Sequence, residues 1–201
     1  MPLIGNLRVS TLGIIPKKAQ GKFRLIHHLS FPEGMSVNDV ISPELCTIRY
    51  TSFDEAVSMV RRCGVGAELV KCDIKSAFRI LPIHHLDFNL LGFQFQGSFY
   101  VDRDLLMSCS VSCMAFEKFS SFIKWKVRQW VLCNSATHYL DNFLFCGKRN
   151  SGTCRFILNS FQALAEELSS PCQRKDRGTG HIPHFSRHRT WHNTANFEAA
   201  R

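Results

Sequence analysis

No apolar run in the chain approaches the roughly 18 residues that a membrane-crossing helix needs, so no such helix is expected within it. No C-x-x-C occurs among the nine cysteines, and their number is odd and their spacing irregular, which argues against a zinc ribbon or a disulfide framework. No internal repeat is present, which excludes a solenoid. The first residues lack a basic-then-apolar signal pattern, so the chain is expected to be intracellular, nuclear or cytoplasmic, and not secreted.

What remains is a folding sequence of ordinary composition. The 201 residues are 45% hydrophobic and 20% charged, enough for one domain with a real core. Several cysteines lie inside apolar stretches and read as buried free thiols of a reducing compartment. The net charge of +9 suits a polyanionic partner, but it is unevenly spread. Residues 171–201 hold six Lys/Arg against two Asp/Glu, whereas residues 1–170 hold 19 against 14. The body is therefore only modestly basic, and a histone-like packaging protein is disfavoured.

The periodicities predict a mixed order, ββαβββαββα, and hence an α+β fold with a largely antiparallel sheet. Residues 12–30 read as strand, basic turn, strand, the turn carrying Lys17, Lys18, Gly21, Lys22 and Arg24. A Pro/Gly/Asn/Asp loop follows. Phe53, Val57 and Val60 predict a short helix over 53–62 that Gly64 and Gly66 end. Residues 67–73 predict a strand, and the alternation around Gln96-Gly97 predicts a hairpin. Residues 107–131 predict a helix with Val111, Ala115, Phe119, Phe122 and Trp130 on one side. "THYLDNFLFCG" predicts a second hairpin, and Ile157, Phe161, Leu164 and Leu168 a last helix.

Two acidic positions carry the functional question. Asp73 ends a predicted strand, and Asp141 sits between two apolar runs 68 residues later. If the two strands are neighbours, the carboxylates converge and need a divalent cation to neutralise them. Hard oxygen ligands with room for water suit Mg²⁺. Two ions about 3.5–4 Å apart would stabilise the attacking and leaving oxygens of a phosphoryl transfer. The alternative is that Asp73 caps the next segment and Asp141-Asn142 is a plain tight turn. Likewise, Lys17, Lys18, Lys22 and Arg24 could clamp a triphosphate or form a solvated hairpin tip. His27-His28 and His84-His85 lack a Cys, Asp or Glu at i+4 and read as structural or surface residues.

Taken together, four collinear stretches resemble the reverse transcriptase of DIRS-type retrotransposons. They are "LGIIPKKAQGKFRLIHHLSFPEGMSVND", "VKCDIKSAFRILPIHHLDFNLLGF", "FYVDRDLLMSCSVSCMAFEKFSSFIKW" and "HYLDNFLFCG", and the likeness covers about residues 10–168. The resemblance implies the fingers and palm of a right-hand polymerase, with an antiparallel palm sheet backed by the helices at 107–131 and 152–168. It implies that Asp73 and Asp141 bind Mg²⁺ or Mn²⁺ and, with Asn142 in the second hairpin place, form the catalytic set. It implies that Lys17 or Lys18 and Arg24 hold the triphosphate, that Phe78 gates the sugar of the incoming nucleotide, and that Met107 and Ser108 border the nucleotide and template. The implied reaction joins deoxynucleoside triphosphates to a primer 3′-hydroxyl on an RNA or DNA template.

Three departures from the family pattern stand out. Asn142 replaces the second Asp of Tyr-Leu-Asp-Asp, which removes one negative charge; loss of electrostatic stabilisation of this kind costs on the order of 10²–10³-fold in rate. Leu106 and Ser108 replace the Pro and Gly of Leu-Pro-Met-Gly, and Ser adds a side chain where Gly allows close approach. The likeness also stops near Leu168, so the thumb, connection and RNase H portions are expected to be missing. Beyond it stands "HIPHFSRHRTWH", with His184, His188 and His192 at metal-binding helical spacing. Codons exist for these residues that, shifted by one base, read Thr-Tyr-Leu-Thr-Phe-Leu-Gly-Ile-Glu-Leu-Gly, the strand the family has there. Residues 169–201 are therefore expected to be an out-of-frame, disordered tail of a decayed, pseudogene-like copy.

Overall fold

The structure is a computed structural model that describes residues 6–18, 20–131, 134–169 and 196–199. In chain order the elements are β1 (Thr11–Pro16), β2 (Phe23–His28), α1 (Phe53–Cys63), β3 (Glu68–Asp73), β4 (Gly92–Phe95) and β5 (Ser98–Val101), then α2 (Ser112–Val131), β6 (Ala136–Tyr139), β7 (Asn142–Gly147), α3 (Thr153–Ser169) and β8 (Asn196–Ala199). Through α3 this is the predicted order, and the fold is α+β with every strand ladder antiparallel. Of the expected disordered tail, residues 170–195, 200 and 201 lie outside the described residues; Asn196–Ala199 form a strand, which the expectation did not include. The three-histidine stretch also lies outside them.

The described residues divide into two compact units. The first takes residues up to Thr47 and Phe78–Met114. Its two hairpins, β1–β2 and β4–β5, are joined by a parallel bridge between Val9 and Gly92. Gln96 (φ 48°) and Gly97 (φ 77°) make the left-handed turn that a two-residue hairpin requires, as the Gln-Gly pair predicted. Leu29, Val37, Leu91 and Leu106 form a small buried cluster in this unit. Asp102 ties the strands together: its carboxylate accepts from Arg79, and His27 bridges it (2.9 Å) to the Gly92 carbonyl (3.1 Å). His27 is thus buried and structural, as read from the sequence.

The second unit takes residues 48–77, 115–169 and 196–199. Its sheet has the order β6-β7-β3-β8. Along β3, Val70 and Cys72 are buried while Lys71 and Asp73 face outward, the period-2 pattern of a half-buried strand. On β7, Phe143 and Phe145 point inward and meet Phe161 of α3 at ring-centre distances of 4.7 and 5.3 Å. Gly147 lets α3 close on the sheet, because a Cβ there would lie 2.8 Å from the Cys154 backbone nitrogen. α1 begins with an N-cap in which the Ser52 side chain accepts from the Glu55 N–H (3.1 Å).

Three helix readings need correction. The second predicted helix starts at Ser112, not 107, because residues 107–111 form turns that bring the Cys109 N–H to the Leu106 carbonyl. Its buried stripe is Phe116, Ser120, Ile123 and Val127, whereas Phe122 and Trp130 are 44% and 42% exposed. The stripe chosen from the sequence followed the bulkiest residues instead of the face that two small serines allow close to neighbouring chain. In α1 the inward residue is Met59, and Phe53 is 81% exposed. Besides α2, whose Arg128 donates to the Ala136 carbonyl of β6, and α3, the sheet is also backed by α1, which packs on β7 as α3 does.

Candidate functional site

β3 and β7 pair antiparallel with Asp73 opposite Asn142 and Cys72 opposite Phe143. Directly opposed residues project to the same side, so Asp73 and Asn142 share the outward face while Cys72 and Phe143 share the core. The Ile74 N–H donates to the Asp141 carbonyl (3.0 Å), which carries the pairing one step past the strands and fixes the hairpin tip beside the end of β3. Two carboxylates 68 residues apart in sequence thus meet at one sheet end.

The electrostatics record that meeting. Burial first, then the negative charge of Asp141 and a hydrogen bond with it, hold the Asp73 carboxyl above its usual range; Lys71, on the same face of β3, opposes them. The Asn142 Nδ2 donates to Asp141 Oδ1 at 2.9 Å. The amide therefore occupies one carboxylate oxygen and supplies no charge of its own.

The hairpin tip is held from beneath. Leu140, the first of its two turn residues, has φ 51°, a left-handed conformation that costs a branched side chain on the order of 1–3 kcal/mol. Its backbone lies by Glu117 on α2 and lowers that carboxyl, partly offsetting the upward push of burial on Glu117. The His138 Nε2 lies 2.8 Å from the same carboxylate, but their approach lacks the alignment of a hydrogen bond. Burial, then the charges of Lys124 and Arg128, push His138 down to about 4, so the ring is neutral at pH 7. Glu117 and His138 were missed by sequence reasoning. A Glu on a predicted helix carried no sign that it would turn inward.

The nucleotide-binding candidates lie in the first unit. Lys17 and Lys18 are exposed on the β1–β2 connection, where the Lys17 N–H donates to the Lys22 carbonyl (2.7 Å) and Gly21 takes φ 71°. Arg24 projects from β2, and its Nη1 lies 4.0 Å from the Met107 sulfur, so the structure brings these two together. The Ser108 carbonyl accepts from Asn38 Nδ2 (2.8 Å), and Asn38 Oδ1 accepts from the Ser110 N–H (2.9 Å). Asn38 is a third residue the sequence reading passed over; it clamps the segment that holds Met107 and Ser108. Phe78 is buried in a single 3₁₀ turn, Ala77–Ile80.

Asp73 and Asp141 offer hard oxygen donors, and the mutual repulsion that raises Asp73 is what a divalent cation would relieve. The donor set fits a magnesium or manganese ion, with one charge fewer than a third carboxylate would bring. Among the described residues no group of three or more His, Cys, Asp or Glu side chains is arranged to hold a metal. Among them, too, no helix is long and apolar enough to cross a membrane.

No family model and no curated protein sequence matches the chain. Solved structures do. The foamy viral protease-reverse transcriptase dRH in complex with double-stranded DNA aligns at a TM-score of 0.58 and 16% identity, over 79% of this chain and 25% of that one. The same kind of viral protein with an RNA/DNA hybrid aligns at 0.57 and 16%, over 80% of this chain and 20% of that one. The native prototype foamy virus protease-reverse transcriptase aligns at 0.57 and 16%, over 79% and 19%. This chain therefore spans a quarter or less of those three proteins, and the segment it shares with them has a reverse transcriptase-like fold.

Proposed function

We propose that this chain is the core of an RNA-directed DNA polymerase from a retroelement, of the DIRS type by its motifs, that adds deoxynucleotides to a primer 3′-hydroxyl. The observation that carries the reading is the register of β3 on β7, which sets the Asp73 and Asp141 carboxyls side by side. Asp73 and Asp141 would hold magnesium or manganese, which when bound supplies Lewis-acid stabilisation of the charge that develops in phosphoryl transfer. Lys17, Lys18 and Arg24 are cations suited to a triphosphate, Arg24 as a planar fork and the lysines as point charges. Phe78 would exclude a 2′-hydroxyl by bulk, and Met107 and Ser108 would border the nucleotide and template. The partners are then an RNA or DNA template-primer and deoxynucleoside triphosphates.

Asn142 favours a second reading, a catalytically dead retroelement fragment that at most binds nucleic acid weakly. Its amide occupies one Asp141 oxygen where a carboxylate would add charge. The frameshifted 169–201 tail belongs to this reading, and sequencing the gene tests it: a one-base shift near codons 168–171 must restore the missing strand.

Primer extension with Mg²⁺ or Mn²⁺ separates the two readings, run on the chain as it stands and on the triple revertant Asn142→Asp, Leu106→Pro, Ser108→Gly. Extension that Asp73→Ala abolishes supports the polymerase. Template binding without extension in either protein supports the fragment.

A further inference from the structure

The second unit holds a pair of thiols in unusual proximity. Cys63 is the last residue of α1, and Cys146 lies on β7, four residues beyond Asn142. Their sulfurs are 2.9 Å apart although 83 residues separate them in sequence. Non-bonded atoms rest at roughly 3.5–4 Å, and a disulfide bond measures about 2.05 Å. The pair thus stands inside ordinary contact and within an ångström of bonding distance. α1 packs against β7, so the approach belongs to the core of the unit and not to a loop.

We propose that Cys63 and Cys146 are an oxidative modification site that closes to an intramolecular disulfide when the protein meets hydrogen peroxide. Cys63 is half-buried and Cys146 fully buried, so the oxidant reaches Cys63 first. The Cys63 sulfur attacks one peroxide oxygen, the O–O bond breaks, and Cys63 sulfenic acid and water result. The Cys146 sulfur then attacks the Cys63 sulfur; the S–O bond breaks, and the leaving hydroxide takes the Cys146 proton as a second water. Two thiols and one peroxide give one disulfide and two waters, the peroxide accepting both electrons. In the resting state burial pushes the Cys146 thiol up to about 12, so it is protonated and inert until Cys63 is activated. Cys146 meanwhile donates weakly to the Met59 carbonyl (3.6 Å). Cys154 is the competing thiol, but it is turned to the Phe145 carbonyl (3.7 Å), and burial pushes it up to about 11.

The bond would fasten the end of α1 to the strand that begins at Asn142. Closing so long a loop restricts the unfolded chain, and the expected rise in melting temperature is on the order of 10 °C.

The test uses the full chain, fully reduced, freed of reductant and treated with hydrogen peroxide, once folded and once in urea. Remaining thiols are alkylated, and the digest is read by mass spectrometry without reduction. The expected result is a Cys63–Cys146 peptide pair that dithiothreitol reverses and that forms at least tenfold faster in the folded protein. Recovery of both residues as alkylated thiols overturns the proposal, as does pairing of Cys63 with Cys154, or equal rates folded and unfolded. Cys63→Ser must abolish both the linked peptide and the rise in melting temperature; a rise that persists in this variant also overturns it.

Discussion

Asn142→Asp should make the stability of this protein depend on a divalent cation. In the chain as it stands, the Asn142 amide donates to Asp141 Oδ1 at 2.9 Å. Replacing the amide by a carboxylate removes a hydrogen bond to a charged group, worth about 1.5–3 kcal/mol. It also sets two like charges against each other. At a separation of roughly 4 Å their repulsion is about 1 kcal/mol in water and about 4 kcal/mol at an effective dielectric of 20. Asp141 and Asn142 are both half-buried, which places the site between those limits, and Asp73 stands on the same face to add to the repulsion. A net loss of roughly 2.5–7 kcal/mol at pH 7 in a chelator follows, or a drop of about 5–28 °C in melting temperature for a chain of this size. A cation that binds only the folded state recovers about 2.7 kcal/mol at a hundred times its Kd. Thermal melts in EDTA and in millimolar Mg²⁺ measure both effects. The variant should melt below the parent in EDTA and gain more from Mg²⁺ than the parent does. Equal melting in EDTA, or an equal response to Mg²⁺, would mean that the three side chains do not share one electrostatic site.

Three further predictions concern the unit that carries that site. His138 has a folded value of about 4 against an ordinary 6.5, so the unfolded state binds more protons between those limits. Its stabilisation is complete above pH 6.5 and is lost as the pH falls toward 4, on the order of 3 kcal/mol in all. The raised Glu117 carboxyl acts the other way, contributing stability at low pH that fades as the pH rises, so the clean comparison is Glu117→Gln against Glu117→Gln with His138→Phe. The single variant should lose stability from pH 7 to 4 by more than the double variant, and identical pH profiles would show that His138 is not the titrating group. Phe161→Ala, at the junction of Phe143 and Phe145, should cost about 3–5 kcal/mol in urea unfolding. Phe53→Ala should stay within about 0.5 kcal/mol, because Phe53 faces solvent despite its place in the apolar period.

Local chemistry made most elements readable. Gln96-Gly97 announced a hairpin because glycine takes a positive φ at little cost, and Gly64 and Gly66 announced the end of α1 for the same reason. Residue size misled. Phe122 and Trp130 are large and apolar, yet the buried stripe of α2 contains Ser120, whose small side chain allows close packing. Periodicity reports which residues share a side and not which side is covered. The cysteines show the same limit: Cys72, Cys146 and Cys154 are buried as expected, Cys46, Cys63, Cys109 and Cys113 only partly so, and Cys133 and Cys172 lie outside the described residues.

The kind of chemistry open to this chain was legible along the chain itself: carboxylates at a strand end and a hairpin tip, a basic turn, and an uncharged asparagine beside the hairpin carboxylate. Which of those groups meet was not, because 68 residues separate Asp73 from Asp141 and no local rule spans that distance. The β3–β7 register decided it, and a slip of one residue would have turned Asp73 into the core and Cys72 outward. Tertiary packing alone set Glu117 under Leu140 and drew Cys63 onto Cys146, since both depend on how helices settle on a sheet and not on any spacing within one segment.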